Sequence, residues 1–379
     1  MEFGYLIMCQ RVFTRSYKLN EGCDGMAAYK VVVYRTGQVF ADVEQEWRNF
    51  EAAQQTLYLT QSYDWLRLWW EIFEQRADQQ FGFNKQLLII MLYKESTLVA
   101  IAPLVRLERK KYGMQFSFIE FLSQQWGSAF MDVIGGSHDP DSRMYIIAWL
   151  YKNIKFDVIN LSYLPKGSTT LTIAERKHVF KLSTCPIIPV VNYSSFQEYI
   201  AANCSGHHQH NLRTKANQIR RDGLTYECTQ EKVSAENIED IYRVSKSKLR
   251  DGKTSIYLDE DKGEFMLGVF SRFAVDALFI KLNGRVAAYR LQVYFRDWKI
   301  CIDAAYDRDF RPYGVGLLSM QESIKDSFAK QLTVHCEGAG SDDYKLGFTK
   351  QAITIYDCMR AGNTFFSPGV FAKLMSKRI

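Results

Sequence analysis

The 379-residue sequence predicts an α/β (α+β) fold built from two similar lobes in tandem, each a mixed, mostly antiparallel sheet flanked by helices. Three observations carry that expectation. First, residues 277–282, 286–295 and Trp298–Tyr306 are apolar runs of strand character, and Asn283-Gly284 between the first two suits a left-handed hairpin turn. A glycine-containing turn follows, then a helical spacing of Leu317, Leu318, Met320, Ile324 and Phe328, then a short strand over 332–336. Second, residues 93–104 laid over 280–291, a spacing of 187, align Lys94 with Lys281, Val99 with Val286, Ala100 with Ala287 and Leu104 with Leu291. Both segments read as strand-turn-strand, the mark of a duplicated architecture. Third, the length suits about two domains, and 47% hydrophobic with 14% aromatic residues supplies the cores.

Taken in order, residues 1–28 read as an N-terminal extension, or as an upstream start ahead of Met26. The apolar run 3–9 is too short for a signal peptide and has no basic region before it. The first lobe spans 29–188. Its strand Tyr29–Tyr34 is followed by an amphipathic helix over 39–54, then by an aromatic helix over Tyr63–Phe73 that Ser62 can cap. Trp65, Leu68, Trp69, Ile72 and Phe73 share a face that reads as core, with Trp69 or Trp70 placed to edge a cleft. Strands over 87–93, 98–106 and 116–122, a helix over 141–153 and a strand over 156–161 complete the lobe. Pro186 and Pro189 suit an irregular connection. The second lobe, 189–379, opens with a helix over 196–202 and a basic helix over 211–222, stopped by Gly223. Helices over 236–249 and 258–274 precede its sheet.

A net charge of +6 is mild and identifies no polyanionic partner; DNA is not expected. The eight cysteines show neither a C-x-x-C pair nor a metal-site spacing, so reduced thiols in a cytoplasmic protein are the simplest reading. His207, His208 and His210 lack a cysteine or acidic neighbour, and no metal is expected. No apolar run is long and uninterrupted enough to span a membrane; Lys94-Glu95-Ser96 breaks the best one.

The turn Arg311-Pro312-Tyr313-Gly314-Val315-Gly316 is the strongest functional signal. Gly314 and Gly316 allow close approach to the backbone and φ > 0, and free N–H groups at the following helix start form an anion site. Arg311 can add a charge-assisted contact to a phosphate. The alternative is a strand-to-helix turn whose glycines serve packing.

In this setting R-x-x-G-x-G resembles the acyl-CoA pyrophosphate loop of the GNAT acyltransferase superfamily. Residues 278–289 and 305–318 with Asp343-Tyr344-Lys345 resemble the acetyltransferase domain of CelD-type and FemAB-related proteins, which ends its core with a Tyr-Lys pair and a nearby aromatic residue, here Phe348. Trp65-Leu66 followed by Trp69-Trp70 and the arginine-rich helix are similar to that group; Tyr313-Gly314-Val315 departs from its usual Ser-Pro-Gly. The resemblance implies tandem GNAT-like lobes and acetyl-CoA or another acyl-CoA as donor, bound by Arg311, Tyr313, Gly314, Val315 and Gly316. At the repeat spacing Gln124, Gly127 and Ala129 fall under Arg311, Gly314 and Gly316. The residues after them read as a strand over 130–134 rather than a helix, so no second donor loop is expected.

Direct acyl transfer needs a base, oxyanion donors and an acid for the leaving thiolate. Asp303 and Glu337 are the candidate bases, for each of which a surface salt bridge or loop hydrogen bond is the commoner use; Tyr344 is the candidate acid. Lys345 can orient an acceptor carboxylate or phosphate, and Arg213 can contact a phosphate-bearing acceptor or cofactor. The resemblance implies an amine or hydroxyl acceptor on a sugar, polysaccharide or envelope precursor, and transient association with envelope-synthesis machinery. A FemAB-like enzyme using aminoacyl-tRNA, which the basic helix would suit, and a non-catalytic binding subunit are the rival expectations.

Overall fold

The computed structural model describes residues 29–111, 113–126, 130–135, 140–340 and 342–364. Strand β1 (Tyr29–Tyr34) runs antiparallel to β2 (Lys85–Lys94). Between them lie helices α1 (Glu44–Ala53) and α2 (Tyr63–Phe73). The helix expected over 39–54 is broken at Val43, whose φ of −121° and ψ of 14° leave the helical region. Ser62 caps α2, its hydroxyl accepting from the Trp65 amide.

Strands β3 (Thr97–Lys111) and β4 (Met114–Phe121) continue the antiparallel meander. The strand expected over 130–134 shrinks to β5 (Ile134–Gly135), a two-residue pairing with β3. After helix α3 (Pro140–Asn153), β6 (Val158–Pro165) lies parallel to β4. The proline stretch is not the connection expected: Pro186 and Pro189 lie inside β7 (Val179–Pro189). Proline's fixed φ suits extended backbone, and Pro186 takes part through its carbonyl, which accepts from the Glu337 N–H at 3.1 Å.

The second half repeats this plan. Helices α4 (Phe196–Asn203) and α5 (Gly206–Arg221) precede β8 (Tyr226–Lys232). Helices α6 (Ile238–Lys246) and α7 (Glu260–Arg272) then lead into β9 (Ala274–Leu282), β10 (Arg285–Phe295) and β11 (Trp298–Tyr306). The hairpins β2–β3 and β9–β10 turn through Glu95-Ser96 and Asn283-Gly284, all four residues at positive φ. Helix α8 (Val315–Ala329) crosses to β12 (Val334–Cys336), parallel to β11 as β6 is to β4. A single helical turn, α9 (Asp343–Leu346), and β13 (Ala352–Ala361) end the described chain.

The final strands of the two halves are exchanged. β7 pairs with β12 and β13, and β13 pairs with β6 and β7. One sheet of 13 strands results, in the order β1-β2-β3-β4-β6-β13-β7-β12-β11-β10-β9-β8, with β5 on β3. The expected division at 188/189 therefore falls at the end of a strand whose hydrogen-bonded neighbours both belong to the other half.

Packing joins the halves as well. Trp65 of α2 meets Phe265 of α7 edge to face at 5.0 Å, and Gly268 admits Leu68, since a Cβ there would lie 2.4 Å from Leu68 Cδ1. Trp69 and Trp70 are both buried in this core, so neither edges a cleft. Burying each such aromatic side chain is worth roughly 1.5–3 kcal/mol. No helix among the described residues is long and apolar enough to cross a membrane.

Candidate active site

β11 and β12 pair over three residues only, Trp298 with Val334, Lys299 with His335 and Ile300 with Cys336. Beyond them β11 continues to Tyr306, while the other chain leaves through Gly338, Ala339 and Gly340. Gly338 and Gly340 hold φ of 71° and 115°, and a Cβ on Gly338 would sit 3.2 Å from the Cys301 carbonyl oxygen. β11 also bulges: Leu291 faces Asp303 but Gln292 faces Cys301, leaving Ile302 without a partner on β10. The pairing of the two parallel strands thus ends at Ile300 and Cys336, and beyond these residues the strands form a wedge in the sheet.

The turn 311–316 starts from the end of β11. Gly314 takes φ 62° and ψ 30°, closing a 3-10 turn (Arg308–Tyr313) and serving as N-cap of α8. No side chain among the described residues caps that helix. The Leu317 and Leu318 amides bond to the Gly314 carbonyl at 2.9 and 3.1 Å, so the amides of Val315 and Gly316 are left at the positive end of the α8 dipole. Buried Val315, Leu318, Met320 and Ile324 fix α8 to the sheet. Both glycines also admit close neighbours. A Cβ on Gly314 would lie 3.0 Å from Lys215 Cγ, and one on Gly316 would lie 3.0 Å from the Tyr306 ring. Lys215 donates to the Pro312 carbonyl at 2.7 Å, which sets the basic helix α5 against the turn. Arg311 is exposed and forms two 2.9 Å bonds to Asp251, a carboxylate it shares with Arg308. Tyr313 packs at the edge of the α8 core, and Arg213 is exposed on α5, one turn or less from Lys215.

Glu337 is placed as an anchor. Its side chain is wholly buried between Arg290, in a close ion pair, and His335, whose Nε2 lies 2.6 Å from its other oxygen. Burial alone would push its pKa up; Arg290, His335 and Lys345 more than reverse this and hold it at about 2. Burial keeps the His335 ring neutral, which assigns Nε2–H as donor to Glu337 and leaves Nδ1 to accept from Ser327 Oγ at 2.8 Å. A carboxylate so fully engaged is unsuited to the role of base expected for it. Tyr344 is 42% exposed at the wedge, its phenol in the field of Arg290, Glu337 and Cys301. Burial raises its pKa, with Arg290 acting in the opposite direction, so the phenol is protonated at neutral pH. Lys345, beside it, is turned inward: its ammonium donates to the Ala339 carbonyl at 3.2 Å and fastens the loop that forms one lip of the wedge. This use competes with the acceptor-binding role read from the sequence.

Asp303 stands apart from Glu337. It faces Leu291, whereas Glu337 meets the neighbouring Arg290, so the two carboxylates approach β10 from opposite faces. Tyr289 donates to Asp303 at 2.5 Å and Lys248 at 3.1 Å, and the Asp303 side chain keeps 10% exposure. Burial, then Asp303, raises the Tyr289 pKa far above its ordinary value, so that phenol stays protonated and donates.

The equivalent wedge in the first half is filled. Where β4 and β6 part, Gln124 Oε1 accepts from the amides of Phe121 and Ser162 at 3.0 and 3.1 Å, and its Nε2 donates to the Asn160 carbonyl at 3.1 Å. Glu120, paired with Arg109 and bonded to Gln125 and Asn160, closes the space behind it. Gly127 and Ala129 lie outside the described residues.

Arg290, His335, Ser327, Tyr289 and Lys248 were not singled out from the sequence. A signal existed for two of them: Arg290 interrupts the apolar run 286–295, and His335 sits between Val334 and Cys336, both polar groups on strands that must be buried. His208, by contrast, packs edge to face on Phe348 at 4.5 Å, and no cluster of metal-ligand residues occurs among the described residues.

Residues 206–346 match the family model of the acetyltransferase (GNAT) domain. FemX is similar in structure at a TM-score of 0.57 and 9% identity, over 91% of this chain and 99% of that one. A conserved protein of unknown function from Bacteroides thetaiotaomicron VPI-5482 is similar at a TM-score of 0.53 and 11% identity, over 87% and 100%. At such identities the likeness is one of fold. No curated protein matches the sequence significantly.

Proposed function

We propose, from the match of residues 206–346 to the acetyltransferase (GNAT) domain, an acyl-CoA-dependent N- or O-acyltransferase that transfers its acyl group directly to an amine or hydroxyl acceptor of a sugar, polysaccharide or envelope precursor. The observation that carries this reading is the uncapped start of α8, with left-handed Gly314, beside the wedge between β11 and β12.

These residues fit the donor. The Val315 and Gly316 amides and the dipole of α8 would hold its pyrophosphate, with Lys215 adding charge nearby and Arg311 free to exchange Asp251 for phosphate. When bound, acyl-CoA supplies the acyl group as an activated thioester. Asp303, hydrogen-bonded by Lys248 and Tyr289, takes the proton of the acceptor amine or hydroxyl, directly or through a water. Tyr344 gives its proton to the leaving sulfur. Glu337 acts through Arg290, keeping that guanidinium and the β12 end in place.

Calorimetric titration with CoA and acetyl-CoA tests the donor assignment, beside a Gly314→Val/Gly316→Val variant. Micromolar binding that the folded variant loses is expected; equal affinity in both proteins would remove the turn from the site.

A second reading rests on the basic helix α5, where Arg213, Arg220 and Arg221 are exposed. It keeps the fold and takes aminoacyl-tRNA as donor. Binding of tRNA that falls steeply with salt, without CoA binding, would favour it.

A further inference from the structure

Two thiols meet at the seam between the halves. Cys185 of β7 and Cys336 of β12 bring their sulfurs to 3.3 Å, with residue exposures of 0% and 3%. Cys336 is opposite Ile187, so Cys185 lies two residues along β7 on the same face. Cys336 also walls a cavity of about 140 Å³ between the halves, lined by Tyr58, Phe130, Trp298 and Ile300. Exposed Gln55, Thr56 and Arg296 form its mouth. A space of that size admits several water molecules or a molecule as large as benzene. A small uncharged oxidant therefore has a route to Cys336, while Cys185 waits behind it. Hydrogen bonding from Cys185 lowers the Cys336 pKa, which marks Cys336 as the more readily ionised of the two.

We propose that Cys185 and Cys336 are a modification site, a dithiol that a small hydroperoxide converts to a reversible disulfide. The Cys336 thiolate attacks one peroxide oxygen; the O–O bond breaks, and the other oxygen leaves as water or an alcohol after protonation. Cys336 is then a sulfenic acid. The Cys185 sulfur attacks it, the S–O bond breaks, and hydroxide departs with the Cys185 proton as a second water. Two electrons pass from the two thiols to the peroxide. Closing the sulfurs from 3.3 Å to a bond of about 2.0 Å needs a shift of little more than an ångström. The link would staple β7 to β12 immediately before Glu337.

The test treats the full chain with hydrogen peroxide and maps its peptides by mass without reduction. The expected result is a Cys185–Cys336 linked pair of peptides, a loss of two hydrogens, a Tm raised by several degrees, and reversal of all three by dithiothreitol. In Cys185→Ser, Cys336 should stop at the sulfenic acid and be captured by dimedone. Recovery of both residues as free thiols from peroxide-treated wild-type protein, with oxidation confined to exposed Cys228, would overturn the proposal. The wild-type map decides the matter even where a serine variant fails to fold, and it requires no transferase activity.

Discussion

Lys215 lies along Gly314: its Cγ is 3.0 Å from the place a Cβ would occupy, and its ammonium donates 2.7 Å to the Pro312 carbonyl. The contact ties the basic helix α5 to the start of α8, so a phosphate at the Val315 and Gly316 amides would meet a cation already in place. Lys215→Met keeps the aliphatic stem over Gly314 and removes only the charge. We expect the Kd for CoA to rise about 5–10-fold, as for loss of one partly solvated charged contact, with Tm nearly unchanged. Calorimetry at two salt concentrations checks it; the variant should also show the weaker salt dependence.

Arg290 and Glu337 should behave as a buried pair. Arg290→Met strands a carboxylate that has 0% side-chain exposure, and a cost of about 3–5 kcal/mol is expected. Adding Glu337→Leu should restore much of that loss, because neither charge then needs a partner. Urea unfolding of the two single variants and the double variant measures the coupling. Additive losses would mean that the pair is not coupled.

Asp303→Asn separates the two carboxylates by function. It keeps acceptors for Tyr289 and Lys248 but removes the base, so kcat should fall about 10²–10⁴-fold with CoA affinity retained. Glu337→Gln should instead register mainly as lost stability, greatest above pH 4.5 and vanishing as pH falls through about 2, where the native carboxylate itself would protonate. Steady-state kinetics and unfolding on the same proteins compare them. A fall in kcat below threefold for Asp303→Asn would leave the base elsewhere.

Glu51 gives a stability effect of opposite sign. It accepts from the Tyr63 amide at 2.5 Å and the Trp47 indole at 2.9 Å, and burial raises its pKa from 4.5 to about 7. Between those values the folded chain binds the extra proton, so this contribution is present at low pH and is lost as pH rises through about 7. Glu51→Gln retains an acceptor oxygen without the charge. It should be roughly 1–3 kcal/mol more stable than wild type at pH 8 and nearly equal at pH 4.5. Thermal melts across that range provide the comparison.

Local chemistry was enough to read several features from the sequence. Asn283-Gly284 turns because its residues tolerate positive φ, Ser62 caps α2, and Gly314 opens α8 in a left-handed conformation. The internal repeat likewise announced two copies of one strand order. Helix and turn signals act over a few residues, so they survive in the linear pattern. Tertiary structure decided what depends on distant partners. β7 became a strand despite Pro186 because β12 and β13 flank it, and the exchange of β7 and β13 merged two sheets into one. Asp303 and Glu337 look alike in sequence, yet the faces they take on β10 leave one a partly solvated carboxylate and the other a buried counter-ion. Gln124 blocks the first wedge through three hydrogen bonds to two diverging strands, while at the second Gly338 puts no side chain between the strands and lies close to the Cys301 carbonyl. Whether a wedge admits a ligand is set by which side chain crosses it, and that is settled by packing between segments far apart in the chain.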